Sequence, residues 1–112
     1  MEDCIFCKIA NHEIESTIFY EDDAVVAFDD LNPQAPVHCL IVPKKHYDDI
    51  GDGVSPEALG AVFAAVPKVA AMKGLSEKGY RTIVNTGADA GQTVKHLHVH
   101  VIGGITMAEK ML

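Results

Sequence analysis

The 112-residue sequence contains no tryptophan, only three cysteines, and just 9 lysines and arginines against 16 aspartates and glutamates. With a formal net charge of −7 and no basic run, the chain lacks the electrostatic footprint of a protein that grips long nucleic acid. No apolar run approaches the ~18–20 residues that a membrane-spanning helix requires. The opening M-E-D-C-I-F-C-K has neither a basic n-region nor an apolar h-region, so no secretory signal is expected and a cytoplasmic location is. Cys4, Cys7 and Cys39 are too few, and odd in number, for a disulfide framework, which leaves thiols or metal ligands. Repeats, low-complexity tracts and linkers are also missing, so the length reads as one domain over residues 1–112.

The patterning predicts an α+β fold. T-I-F-Y-E-D-D-A-V-V-A-F-D-D (17–30) reads as a β-hairpin turning at Glu21-Asp22-Asp23, with Ala24 to Phe28 as the returning strand. V-H-C-L-I-V-P (37–43) is a third strand, Y-R-T-I-V-N (80–85) a fourth, and V-K-H-L-H-V-H-V-I (94–102) a fifth. Short links between neighbours favour a mostly antiparallel, about five-stranded sheet with its helices to one side. One long helix is expected over 55–73. Ser55 is its N-cap, Pro56 suits the first position, and Leu59, Val62, Phe63, Val66, Val69 and Ala70 form an apolar stripe. Pro67 lies inside that helix and is expected to kink or break it. A short helix is expected within 4–10.

Chemistry is concentrated in the fifth strand. His96, His98 and His100 occupy alternate positions, so they share one face, spaced about 6.7 Å apart. Leu97, Val99 and Val101 share the other face, under the helix. Packing alone gives no reason to align three imidazoles. Two readings compete: a zinc site of strand histidines, or a nucleophilic imidazole oriented by its neighbours. The preceding G-A-D-A-G-Q-T offers backbone N–H groups, an amide and a hydroxyl, which suit phosphate oxygens. That favours a histidine attacking phosphorus. Cys4-Ile5-Phe6-Cys7 alone is open among thiol redox chemistry, half a zinc site and no function. Cys39, among apolar neighbours, reads as a buried inert thiol.

G-Q-T-V-K-H-L-H-V-H-V-I resembles the histidine triad signature of the HIT family of nucleotide hydrolases and transferases. D-C-I-F-C-K-I, F-D-D-L-N-P-Q-A-P-V-H-C-L-I-V-P-K-K-H (28–46), N-T-G-A-D-A-G-Q (85–92) and Gly103-Gly104 resemble its Hint branch, so the likeness covers nearly the whole chain. The resemblance implies a purine nucleoside phosphoramidase-like hydrolase with His98 as nucleophile at the α-phosphorus, forming a nucleotidyl-histidine intermediate. His100 would serve phosphate or leaving-group oxygens, and the carbonyl of His96 would fix the tautomer of His98. His38 would line the site. Asp30 would hold the ribose hydroxyls, and Ile5, Phe6, Ile9, Phe28 and Leu31 the purine, though core packing alone explains apolar residues there equally well. Asn85, Gln92 and Thr93 would contact phosphate. Zinc-containing relatives add one structural zinc, here on Cys4, Cys7, His46 and His96, with no metal required for the chemistry. A homodimer is implied, with the long helix and strand 80–85 meeting their mates. The other readings are a dinucleoside polyphosphate hydrolase, a nucleotide- or zinc-binding module with incidental catalysis, and a hydrolase with zinc on all three triad histidines.

Overall fold

The computed structural model describes residues 3–111. Met1, Glu2 and Leu112, which the expected domain span includes, lie outside the described residues. The elements run α1 (Ile5–Ala10), β1 (Ile18–Glu21), β2 (Val25–Asp29), β3 (Val37–Pro43), α2 (Pro56–Met72), β4 (Tyr80–Ile83) and β5 (Val99–Gly103). The strands make one sheet in the order β1-β2-β3-β5-β4, every pair antiparallel. Asp22 turns the first hairpin. Its Oδ1 accepts from the N–H groups of Ala24 and Val25, so Glu21 stays in the strand and the turn sits one residue later than expected.

The sheet is covered on both faces. On one side Val25, Ala27, Cys39, Ile41, Val99 and Val101 pack against Val62, Ala65, Val66, Val69 and Ala70 of α2. On the other, Val26, Phe28, Leu40 and Val42 pack against Phe6, Ile9 and Ala10 of α1. The expectation of helices on one side is therefore corrected. Strand side chains alternate between faces, and both alternating sets of β2 and β3 are apolar, so each face needs a cover.

Helix α2 begins where Ser55 Oγ accepts from Ala58 N at 3.1 Å. It runs unbroken through Pro67. The proline is exposed, and on a solvent-facing side water can take the place of the lost backbone donor. Phe63, expected in the apolar stripe, is also outward and 41% exposed. Past the helix, Gly74 (φ +74°) reverses the chain so that Leu75 N donates to Ala70 O. Leu75 then fills the space over Gly103, where a Cβ would meet its side chain at 2.7 Å. This close approach explains a glycine at the end of β5.

Strand β5 is shorter than predicted. The regular ladder starts at Val99, opposite Ile41 of β3 and two residues short of where Pro43 would pair. Pro43 has no N–H to donate, and its carbonyl accepts from the ring of His96. Only His100 of the three histidines lies in the ladder, while His96 sits in a bend and His98 just before the strand. Strand β4 likewise ends at Ile83, leaving Val84 and Asn85 beyond it.

Candidate functional site

The histidines lie on the sheet face that α1 covers. Phe6 of α1 stands edge-on to the His98 ring, centroids 5.1 Å apart, and to Phe28 at 5.5 Å. His98 Nδ1 is 2.7 Å from the carbonyl of His96. A carbonyl only accepts, so Nδ1 carries the proton and Nε2 keeps its lone pair. No buried side-chain nitrogen or oxygen among the described residues lacks a partner. His98 Nε2 has no hydrogen-bond partner among the described residues, and so it reaches the surface of an otherwise buried side chain. Burial lowers the pKa of His98 below the ordinary histidine value, against the opposing bond to His96, and keeps the ring neutral.

A second chain of tautomers fixes His100. The N–H of Gln34 donates to His38 Nδ1 at 2.9 Å, which puts the His38 proton on Nε2. That proton is donated to His100 Nδ1 at 2.8 Å, with Asp30 Oδ2 3.4 Å from the same nitrogen. His100 therefore carries its own proton on Nε2. Burial, then the neighbouring His98 and His38, push its pKa down to about 4. The amide nitrogen of Asn85 lies 3.5 Å from His100 Nε2, so two donors flank one spot suited to an oxygen. The cross-strand contact follows from register. Leu40 faces His100, which puts His38 on the adjacent diagonal of the same face.

Among the described residues, two groups bring their ligand atoms within 4.8 Å of one another: Cys4, Cys7, His46 and His96, and Asp30, His38 and His100. Their hydrogen bonds distinguish them. In the first, His96 Nε2 donates to Pro43 O at 2.8 Å and His46 Nε2 to Asp48 Oδ1 at 2.8 Å, so both Nδ1 lone pairs face the sulfurs. Cys4 Sγ is 3.2 Å from His96 Nδ1, and Cys7 Sγ is 3.2 Å from His46 Nδ1 and 3.4 Å from His96 Nδ1. Tetrahedral zinc places S and N ligands about 3.6 Å apart, from bonds of roughly 2.3 and 2.0–2.1 Å, so the donor set fits that ion. Burial, the hydrogen bond with Cys4 and the charge of Cys4 push the Cys7 thiol up to about 11. A bound cation would reverse that preference. In the second group the His38 lone pair is spent on Gln34, and its Nε2 bears a proton, so it is unsuited to metal. The three triad histidines do not converge either, because His96 Nδ1 faces the cysteines while His98 Nδ1 faces a carbonyl. Zinc on all three is thereby set aside.

The remaining residues are distributed unevenly. Asp30 adjoins His38, with Oδ1 accepting from Asn32 N. Phe6, Ile9 and Phe28 are buried in the core under α1, whereas Ile5 and Leu31 stand exposed at 45% and 88%. Thr93 is exposed. Gln92 is occupied internally: its Nε2 donates to the carbonyls of Asp48 and Val94, and its Oε1 accepts from Gly87 N. Its amide closes the 87–92 loop rather than offering free donors to phosphate. Two partners escaped sequence reasoning. Asp48 had a weak signal, an acid two residues after His46; the backbone N–H of Gln34 had none. Cys39 is fully buried, its thiol raised to about 11 by burial.

The HIT domain family's sequence model matches residues 11–107, which leaves Cys4 and Cys7 upstream of the matched segment. The chain is 46% identical over 106 residues to a purine nucleoside phosphoramidase of Escherichia coli K12, covering 92% of this chain and 88% of that one. It is 45% identical to Protein HitA of Neisseria gonorrhoeae, covering 92% and 97%. The structure of a HIT family hydrolase from Clostridium thermocellum superposes with a TM-score of 0.94 at 48% identity, covering 100% of this chain and 99% of that one. Family profile, curated relative and solved structure agree, and the chain belongs to the HIT family.

Proposed function

We propose that the protein is a nucleotide hydrolase of the purine nucleoside phosphoramidase kind. It cleaves 5′-phosphoramidates or related nucleotidyl conjugates through a nucleotidyl-histidine intermediate. The observation that carries this reading is the pair of opposite tautomers: His98 offers an Nε2 lone pair and His100 an Nε2 proton. His98 Nε2 attacks the α-phosphorus, the P–N bond to the leaving amine breaks, and the amine takes its proton from His100. Water then attacks phosphorus and returns a proton to His100 Nε2, the P–Nε2 bond to His98 breaks, and the nucleotide leaves. Developing negative charge on the phosphoryl oxygens meets the Asn85 amide, the exposed Thr93 hydroxyl and the loop that Gln92 closes. Asp30 faces the ribose hydroxyls. The purine lies against the exposed Ile5 and Leu31 and the buried Phe6–Phe28 pair. The phosphoramidase name of the Escherichia coli relative supports this substrate class.

One zinc ion on Cys4, Cys7, His46 and His96 is structural in this reading, tying α1 to the segment that carries His98. The chain acts as a single domain over 1–112, in the cytoplasm, where its three free thiols are at home. It forms a homodimer. The support is an outer α2 face of Gly60, Phe63, Ala64, Pro67, Ala71 and Met72, all exposed, and, separately, the position of β4 at the edge of the sheet, with no further strand beyond it among the described residues.

Four outcomes follow. His98→Ala loses at least about a thousandfold in turnover of adenosine 5′-phosphoramidate; full activity would contradict the nucleophile, and faster turnover of diadenosine polyphosphates would favour that substrate class. The nucleophile must be neutral and its pKa lies below 6.5, so the acid limb of kcat/KM falls below pH 6.5. A limb at or above 7 would show a ring that the site does not keep neutral. Metal analysis finds about one zinc per chain, and Cys4→Ser lowers that content; unchanged content would refute the ligand set. In sedimentation, wild type runs as a dimer and Phe63→Glu shifts it toward monomer, whereas a monomeric wild type would remove the dimer.

A further inference from the structure

The segment after β3 runs beside the segment before β5 and is tied to it at three points. The Pro43 carbonyl accepts from His96 Nε2, the Tyr47 carbonyl from Leu97 N at 2.7 Å, and the Asp48 carbonyl from Gln92 Nε2 at 2.7 Å. Asp48 also reaches the Cys/His cluster. Its Oδ1 accepts from His46 Nε2 at 2.8 Å, and its N–H donates to Asp52 Oδ2 at 2.9 Å. Gln92 in turn accepts from Gly87 N at 2.9 Å and so closes the turn whose ends, Gly87 and Gly91, have φ of +82° and +78°. One residue therefore bonds the metal cluster with its side chain and the glycine loop with its backbone.

We propose that Asp48 couples the two sites, so that a divalent cation of zinc type in the Cys/His cluster and a nucleotide phosphate at the glycine loop each strengthen binding of the other. This rests on the function proposed above. A cation on His46 Nδ1 makes the Nε2–H a stronger donor to the Asp48 carboxylate. The backbone of Asp48 is then held, and with it the acceptor that positions Gln92. Whichever ligand binds first bears the cost of ordering 46–48 against 87–92, and the second does not. Linkage requires the two effects to be equal in size. His96 gives the cluster a separate path, through its carbonyl to His98, which acts on the nucleophile rather than on phosphate binding.

The test uses AMP, the product of the proposed reaction, and zinc. Calorimetry measures AMP affinity on zinc-loaded and chelator-treated wild type, and competition with a chromophoric chelator measures zinc affinity with and without AMP. Zinc tightens AMP by about 5- to 10-fold, and AMP tightens zinc by the same factor. Asp48→Ala binds both ligands with the factor near one. Asp48→Asn keeps an oxygen acceptor for His46 and retains most of the coupling. An Asp48 that merely props up the loop would weaken each ligand alone and leave the factor unchanged. The competition arm starts from the loaded protein, so the factor is read even if the stripped chain unfolds. Equal zinc affinity with and without AMP in wild type, or a full factor in Asp48→Ala, overturns the coupling. Loaded wild type that does not bind AMP overturns the nucleotide reading beneath it, and a chain that binds no zinc overturns the cluster.

Discussion

The bond from His98 Nδ1 to the carbonyl of His96 is the contact on which the rest of the site depends. It assigns a proton to one nitrogen and leaves a lone pair on the other. The same peptide sends its side chain to Cys4 and Cys7 and its Nε2 proton to Pro43, so its position is set from two directions. An imidazole without such a partner would exchange tautomers freely. Burial adds the second condition by keeping the ring uncharged. The two effects together leave a neutral imidazole with a defined lone pair, which is what the proposed attack on phosphorus requires.

The fold supplies this by interrupting itself. A ladder continued to His96 would have put all three side chains in a uniform row, each offering the same face. Pro43 ends the pairing, and residues 96–98 leave the sheet to be held by the 43–48 segment instead. His100 stays in the ladder, where the diagonal to His38 gives it the opposite tautomer. The three imidazoles thus differ in hydrogen-bond partners and tautomer because they differ in backbone setting. The two-sided packing matters as well: α2 anchors Val99 and Val101 from one side, while Phe6 of α1 braces His98 from the other.

Much of this was legible in residue order. The strands at 37–43 and the hairpin before it follow from β-branched runs bounded by turn residues, and the cap at Ser55 follows from Ser-Pro-Glu. The alternation at 96–100 announced chemistry. What could not be read was where that alternation ceased to be a strand, because the deciding group is Pro43, some fifty residues earlier. Pro67 misled for a related reason: its cost depends on whether the helix face there meets water or core. Phe6, Phe28 and Ile9 carry the same side-chain chemistry in a slot or in a core, and only packing separates them from exposed Ile5 and Leu31. Gln92 reads as a phosphate donor in the sequence, whereas its amide hydrogens go to the carbonyls of Asp48 and Val94. The role of Gln34, a backbone N–H, leaves no trace in a sequence.

The most direct test is the imidazole tautomers of the resting protein, read by long-range ¹H–¹⁵N correlation NMR at neutral pH. The prediction is neutral rings with the proton on Nδ1 in His98 and on Nε2 in His38 and His100. A His98 found in the Nε2–H form, or charged, would leave no lone pair facing the substrate and would contradict the nucleophile at its root.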